Sequence, residues 1–328
     1  MPSISPVKWN PPPRTPFEGR FAANDRLAGV ELWHTPAEGP EDVAFDSDGN
    51  LYTGTVDGSI LRFSPGGGEP EVLLNTGGRP LGIEVDSDDR VVICDAYRGL
   101  LRWSGGEPEL LATSYEGEDF KFTNNASIAS DGTIYFTVSS RRFDFDNYKL
   151  DLIEHSGTGR LYALRPDGQL ELLLDDLQFS NGVALSEDES SLAYAETGLY
   201  RVSRLWLRGG SVGRVEIIID NLPGFPDNLT QDGGIFWVPL VSPRDKIVDI
   251  LARSPMLARL AANLPDPLQP APARHAAVFG IDEDGTVVHN LQDPDGRYAV
   301  TTAALAHGEH LYLGSLHDSA VARLQISD

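Results

Sequence analysis

Six segments of this 328-residue chain begin a comparable strand with a comparable residue, and those residues are Glu41, Leu81, Asn124, Asn181, Asp227 and Thr301. The strands that follow set the frame: EDVAFDSDGNLY, LGIEVDSDDRVV, NNASIASDGTIY, NGVALSEDESSLA, DNLTQDGGIFW and TTAALAHGEHLY. Four of the six residues carry a carboxylate or carboxamide oxygen. Brought together, such oxygens suit a hard cation, Ca²⁺ above all. No histidine or cysteine belongs to the set, which speaks against zinc or iron. One acidic residue at a strand start reads equally well as a capped end or a salt bridge. Four oxygen-bearing side chains at equivalent positions must each find a partner if they are buried.

The elements that would position them repeat as well. In each segment a short alternating strand meets an acidic, serine or glycine turn, and a second apolar strand starts about ten residues after the first. The unit recurs at roughly 40–50 residues, the period of a β-propeller, whose equivalent blade positions converge on a central axis. The expected fold class is all-β, a six-bladed β-propeller with short helical insertions in blades 3 and 5. The stretches LRFSPGGGEPEVLL and LRWSGGEPELLA are near-duplicates in blades 1 and 2. Blade 3 is interrupted over 139–159. Blade 5 is interrupted where Ile247, Ile250, Leu251, Leu257, Leu260 and Leu264 fall at helical spacing, predicting over 245–264 an amphipathic helix or a helical pair broken at Pro255. Long insertions on a rigid scaffold are commonly functional lids. Residues 1–25, with Pro11, Pro12, Pro13 and Pro16, read as an extended arm. Residues 26–328 read as one propeller domain, with 26–34 a strand that pairs the chain ends and closes the ring.

Composition narrows the partners. A hydrophobic fraction of 41% supplies a packed core, and 33 glycines with 23 prolines fit a turn-rich β fold. The net charge of −23 argues against binding a phosphate backbone, which needs clustered Lys and Arg, and describes a solvated acidic surface. One cysteine, Cys94, permits no internal disulfide and reads as buried apolar filler. No apolar run approaches the ~20 residues of a membrane span. The first twenty residues lack the apolar stretch of a signal peptide. A cytoplasmic protein acting on a small-molecule substrate is expected, with no nucleic acid partner and no membrane span.

The segments GPEDVAF, RPLGIEVDSDDRVVICDAYRGLLRW, FTNNASIASDGTIYFTVSS, GRLYALRPDG, FSNGVALSEDESSLAYAET and LPGFPDNL, in this order, resemble the strictosidine synthase-like family. That family belongs to a wider set of six-bladed propellers with the paraoxonases, diisopropyl fluorophosphatase and the gluconolactonases. The resemblance implies an axial Ca²⁺ held by Glu41, Asn124, Asn181 and Asp227, with Asn228 as a further ligand beside Asp227. It also implies a catalytic role for Asp227 as nucleophile or general base, and for His307 as a proton shuttle. The expected activity is Ca²⁺-dependent hydrolysis of lactones or related esters. An organophosphate-hydrolysing phosphotriesterase of the same type is the alternative, as is a non-enzymatic binding propeller with structural calcium. Three positions depart from the family. Ala306 stands where strictosidine synthase has its catalytic glutamate, so a Pictet–Spengler condensation is not expected. Leu81 stands where paraoxonase-like lactonases have an axial histidine. Asn125 replaces an aspartate that helps hold a second ion there. Ser139 and Ser140 have no Gly-x-Ser-x-Gly elbow around them, which disfavours a serine hydrolase.

Overall fold

The inner hairpins show why this sequence folds into blades. A residue with positive φ sits in each of the six turns, namely Gly49, Asp89, Gly132, Glu189, Gly234 and Gly308. In blades 1 and 2 the carboxylates of Asp46 and Asp86 each accept two backbone N–H groups across the turn. Such Asx turns reverse the chain where two apolar strands must pair. The computed structural model describes residues 4–264 and 271–326. It is a six-bladed β-propeller.

Blades 1 to 4 are four-stranded sheets with strands in sequence order from axis to rim. Their innermost strands are Val43–Phe45, Pro80–Val85, Thr123–Ile128 and Ser180–Leu185. Blade 5 splits its inner strand into Gly224–Pro226 and Thr230–Asp232, both paired with Ile235–Pro243. Blade 6 runs outward from Thr301–His307, and its outermost strand is Glu31–His34, antiparallel to Ala320–Gln325 with Trp33 opposite Val321. The chain ends therefore close the ring. The closing strand is shorter than the 26–34 expected from alternation, because residues 26–29 form a turn.

Six apolar clusters fill the six seams between neighbouring blades. One joins Trp33, Val43, Phe63, Tyr312 and Val321 across the closure between blades 6 and 1, and another joins Tyr200, Phe225, Phe236 and Phe279 between blades 4 and 5. Blades thus bury both faces, and central strands such as Leu51–Gly54 and Val91–Asp95 are buried at every residue. Rim strands such as Glu71–Asn75 meet solvent.

Two insertions rise from the same end of the axis. The blade 3 insertion carries helix α1 (Tyr148–Glu154), and the blade 5 insertion carries α2 (Lys246–Ala252) and α3 (Pro255–Ala262). Asp245 caps α2, accepting from the N–H groups of Ile247 and Val248, while Ser254 caps α3 with Pro255 in its first turn. Inward residues of the helices pack on one another: Ile153 with Leu251, Ala258 and Ala261. The N-terminal segment straps them together. Val7 N–H donates to Glu154 O, Trp9 N–H donates to Ala252 O, and the Trp9 ring stacks on His155 at 4.3 Å.

Candidate metal and catalytic centre on the propeller axis

The inner strands are bulged where they meet the axis. Pairing slips between Pro80 and Ile83, Thr123 and Ala126, Ser180 and Val183, and Thr301 and Ala303. A bulge leaves residues outside the ladder and re-aims their side chains. The residues inside these bulges include Leu81, Asn124, Asn181 and Thr302. In blade 1 Glu41 precedes the strand, and in blade 5 Asp227 and Asn228 fall in the gap between its two halves. The axial residue of blade 6 is Thr302 rather than Thr301: Thr302 lines the axial cavity, and its hydroxyl donates to Glu41 O. Packing at the bulges is tight at Gly182, where a Cβ would come within 2.2 Å of Leu229 N and 2.3 Å of the Asn228 carbonyl carbon.

Glu41, Asn124, Asn181 and Asp227 line one cavity beneath the helical insertions, with an empty volume of about 940 Å³ counting its open mouth. All four are buried, and Asn228 is fully so. The carboxamides are oriented by their nitrogens. Asn124 Nδ2 donates to Ser139 Oγ at 2.8 Å, and Asn228 Nδ2 donates to Glu41 Oε2 at 3.1 Å. The Asn181 side chain lies beside the Asp227 carboxylate and pulls its pKa down. The side-chain oxygens of Asn124, Asn181 and Asn228 are buried without any partner. Each such orphan costs about 1–3 kcal/mol.

Electrostatics add to the same imbalance. Burial raises the Glu41 carboxyl to about 7, opposed by the Arg79 charge and the Asn228 hydrogen bond. Burial, and then the Glu41 charge, push Asp227 well above the usual carboxylate range against the pull of Asn181. Two desolvated carboxylates and three unpartnered carboxamide oxygens are the donors a hard cation takes, and a cation there would satisfy both kinds of deficit. Among the described residues no three His, Cys, Asp or Glu side chains group as a metal site. The axial set has two carboxylates and draws its other donors from amides.

Next to this layer, Asn125, the position where a second ion was in question, is hydrogen-bonded to Asp42. Asp42 accepts from Val43 N–H, Ile83 N–H and Asn125 Nδ2, while Asn125 Oδ1 accepts from Val183 N–H. Ser139 is likewise committed, since its hydroxyl donates to Ser180 O while holding Asn124.

The expected catalytic residue His307 is not at this centre. It ends the blade 6 inner strand, stacks on Phe45 at 3.9 Å, and lines a separate polar cavity with Asp42, Glu84 and Ala306. A strand of seven residues separates its position from Thr302's end of the axis, so His307, expected as a proton shuttle, does not share a cavity with Asp227. Ala306 shares that distant cavity.

Several residues of the axial cavity were not singled out by the sequence reading. Phe122, Phe179 and Phe225 wall it, each two residues before its axial Asn124, Asn181 or Asp227. The signal was present as Phe-x-Asn/Asp in three blades. The α1 residue Tyr148 also lines the cavity, and its phenol is pushed up to about 12 by burial and by the Asp227 charge, which places it towards that carboxylate. Nothing in the local sequence marks Tyr148, because its position depends on how the insertion folds back.

Comparisons with known proteins agree with this architecture. The strictosidine synthase family pattern matches residues 124–210, and the N-terminal strictosidine synthase-like pattern matches residues 19–63. The chain is 35% identical over 317 residues to STRICTOSIDINE SYNTHASE-LIKE 6 of Arabidopsis thaliana, covering 94% of this chain and 83% of that protein. It is 30% identical over 348 residues to the adipocyte plasma membrane-associated protein of Homo sapiens, covering 98% and 83%. Among solved structures, a gluconolactonase from Xanthomonas campestris superposes with a TM-score of 0.66 at 20% identity, over 91% of this chain and 90% of that one. The calcium-binding protein regucalcin from Agrobacterium tumefaciens gives 0.64 at 16% identity, over 89% and 91%. At such identities the structural likenesses establish the fold. The sequence relatives establish more: this chain is a member of the strictosidine synthase-like family.

Proposed function

We propose that the protein is a hydrolase of lactones or related esters that works with a Ca²⁺ ion on the propeller axis. The observation that carries this reading is the set of three buried, unpartnered carboxamide oxygens beside Glu41 and Asp227 in an apolar-walled cavity. Glu41, Asn124, Asn181, Asp227 and Asn228 would hold the ion. When bound, it supplies a Lewis acid that polarises the acyl carbonyl and keeps both carboxylates ionised. Asp227 would then attack the acyl carbon to form an acyl anhydride that water hydrolyses, or take a proton from a water that attacks the acyl carbon. On either route the acyl C–O bond breaks, water's oxygen ends on the acyl carbon and its proton goes to the leaving oxygen. Asn181 orients that carboxylate. Phe122, Phe179 and Phe225 exclude water from all but the reacting end of the substrate. The gluconolactonase and calcium-binding propellers of the same fold support this reading, although their identities are too low to transfer an activity.

The test combines metal analysis with turnover. Purified protein should contain calcium, melt earlier after chelation and hydrolyse lactones faster than aryl esters or organophosphates. Asp227→Asn should lower turnover roughly a thousandfold with the fold intact. A protein that binds no calcium and shows no melting shift with EDTA would refute the axial ion. Unchanged turnover in Asp227→Asn would leave a binding propeller.

A further inference from the structure

We infer that the outer face of the α2–α3 hairpin docks on an anionic lipid bilayer, turning the mouth of the axial cavity to the membrane surface. The inward face of this hairpin is accounted for, since Leu251, Ala258 and Ala261 pack on α1. Its outward face is also apolar. Ile247 is 55% exposed, Ile250 53%, Met256 68% and Leu260 63%. These residues stand at i, i+3 and i, i+4 spacing on two successive helices, so each helix presents a continuous apolar stripe to solvent. Isolated exposed apolar residues need no explanation, but a grouped set on one element marks an interaction surface.

Charge selects the occupant. The whole chain carries a net −23, yet the exposed charged side chains between 246 and 264 are Lys246, Arg253 and Arg259, all basic. The acid within the hairpin, Asp249, is buried and paired with Arg244 at 3.1 Å. An apolar stripe flanked by Lys and Arg is the composition of a helix lying in a bilayer interface, where the stripe enters the acyl boundary and the bases meet anionic headgroups. A second copy of the chain fits less well. A two-fold dimer through this face would oppose Lys246, Arg253 and Arg259 to the same residues of the other copy.

The position of the hairpin gives the docking a consequence. Val248 of α2 and its cap Asp245 line the axial cavity, so one thin helical layer separates the apolar cavity wall from the apolar outer stripe. A ligand dissolved in the membrane could enter without crossing water. This surface stands whether or not the cavity hydrolyses an ester.

Vesicle flotation with the full-length protein tests it. The protein should float with phosphatidylcholine vesicles containing phosphatidylglycerol, and binding should weaken as salt is raised. Lys246→Glu/Arg253→Glu/Arg259→Glu should lower the partition coefficient on the order of a hundredfold or more. Met256→Ser/Leu260→Ser should abolish flotation with an unchanged melting temperature, because both side chains are already in solvent. Failure of the unaltered protein to float with phosphatidylglycerol vesicles would overturn the inference. So would a dimer in light scattering that Met256→Ser/Leu260→Ser dissociates. Loss of lactone hydrolysis alone, with flotation retained, would count against the proposed chemistry and leave the docking surface standing.

Discussion

At the scale of single residues, the axial centre is a site where ordinary packing rules are broken. Burying Glu41 raises its carboxyl from 4.5 to about 7. Metal-free folded protein therefore holds a proton there that the unfolded chain releases, and the sign follows. Between about pH 4.5 and 7 stability falls as pH rises, because the native state binds more protons than the unfolded state. Glu41→Gln removes the ionisable group but keeps an oxygen to accept from Asn228. In chelated protein this variant should be more stable than the parent at pH 8, by on the order of 2 kcal/mol, and the gain should vanish near pH 4. With calcium present the order should reverse, since an anionic ligand has been lost. Melting curves at the two pH values, with EDTA or with calcium, check both signs. A Glu41→Gln protein that is less stable under every condition would show that the carboxylate has a structural partner other than a cation.

At the scale of elements, the bulged inner strand is the device that makes the site. The alternation of NNASI and NGVAL marked these strands in the sequence, and the polar residue at each strand start was legible as axial. The bulge was not legible. The alternation therefore points to Thr301 in blade 6, whereas the slip presents Thr302, one residue along. His307 lies off the axial cavity for a related reason: the strand carries its two ends to different cavities, a distance that residue type alone does not report. Backbone approach at the bulge is also tight, and Gly182 is where it shows. A methyl group there meets the backbone of Asn228 and Leu229 at 2.2–2.6 Å. Gly182→Ala should cost about 3 kcal/mol or more through overpacking, and it should displace Asn181 and Asn228 together. Denaturant midpoints measure the first effect and calcium titration the second. Calcium affinity close to that of the parent would mean that the two asparagines do not act as one layer. The insertions make a further point. Trp9 is joined by its backbone to α2 and stacks on His155 at the end of α1. Trp9→Ala should loosen both helices, seen as faster amide exchange over 148–154 and 246–262 than over the blades.

At the scale of the whole molecule, a propeller has no single core, so its stability depends on whether the ring is closed. Each of the six blade clusters sits between two blades, and a ring of six blades has as many seams as blades only if the last joins the first. That seam is made by residues from both chain ends. Trp33 is 4% exposed, packs on Phe63 and Tyr312, and lies beneath the Gly67 turn. The strand carrying it holds four residues, and its backbone pairs with Ala320–Gln325. Truncating Trp33 to Ala removes buried aromatic surface from both blades at once, for a cost of about 3–5 kcal/mol. The location of the damage matters more than its size. Blades 3 and 4 keep their seams, so amide exchange should accelerate first in Glu31–His34, Ala320–Gln325 and the inner strand of blade 1. Glu41 lies at the start of that blade and Thr302 in the next, and the Thr302 hydroxyl bridges them. Opening this seam should therefore release calcium before the rest of the protein unfolds, so that calcium loss precedes the main melting transition in Trp33→Ala and coincides with it in the parent. Coincident loss in both would mean that the axial layer holds blades 6 and 1 together without the outer strand.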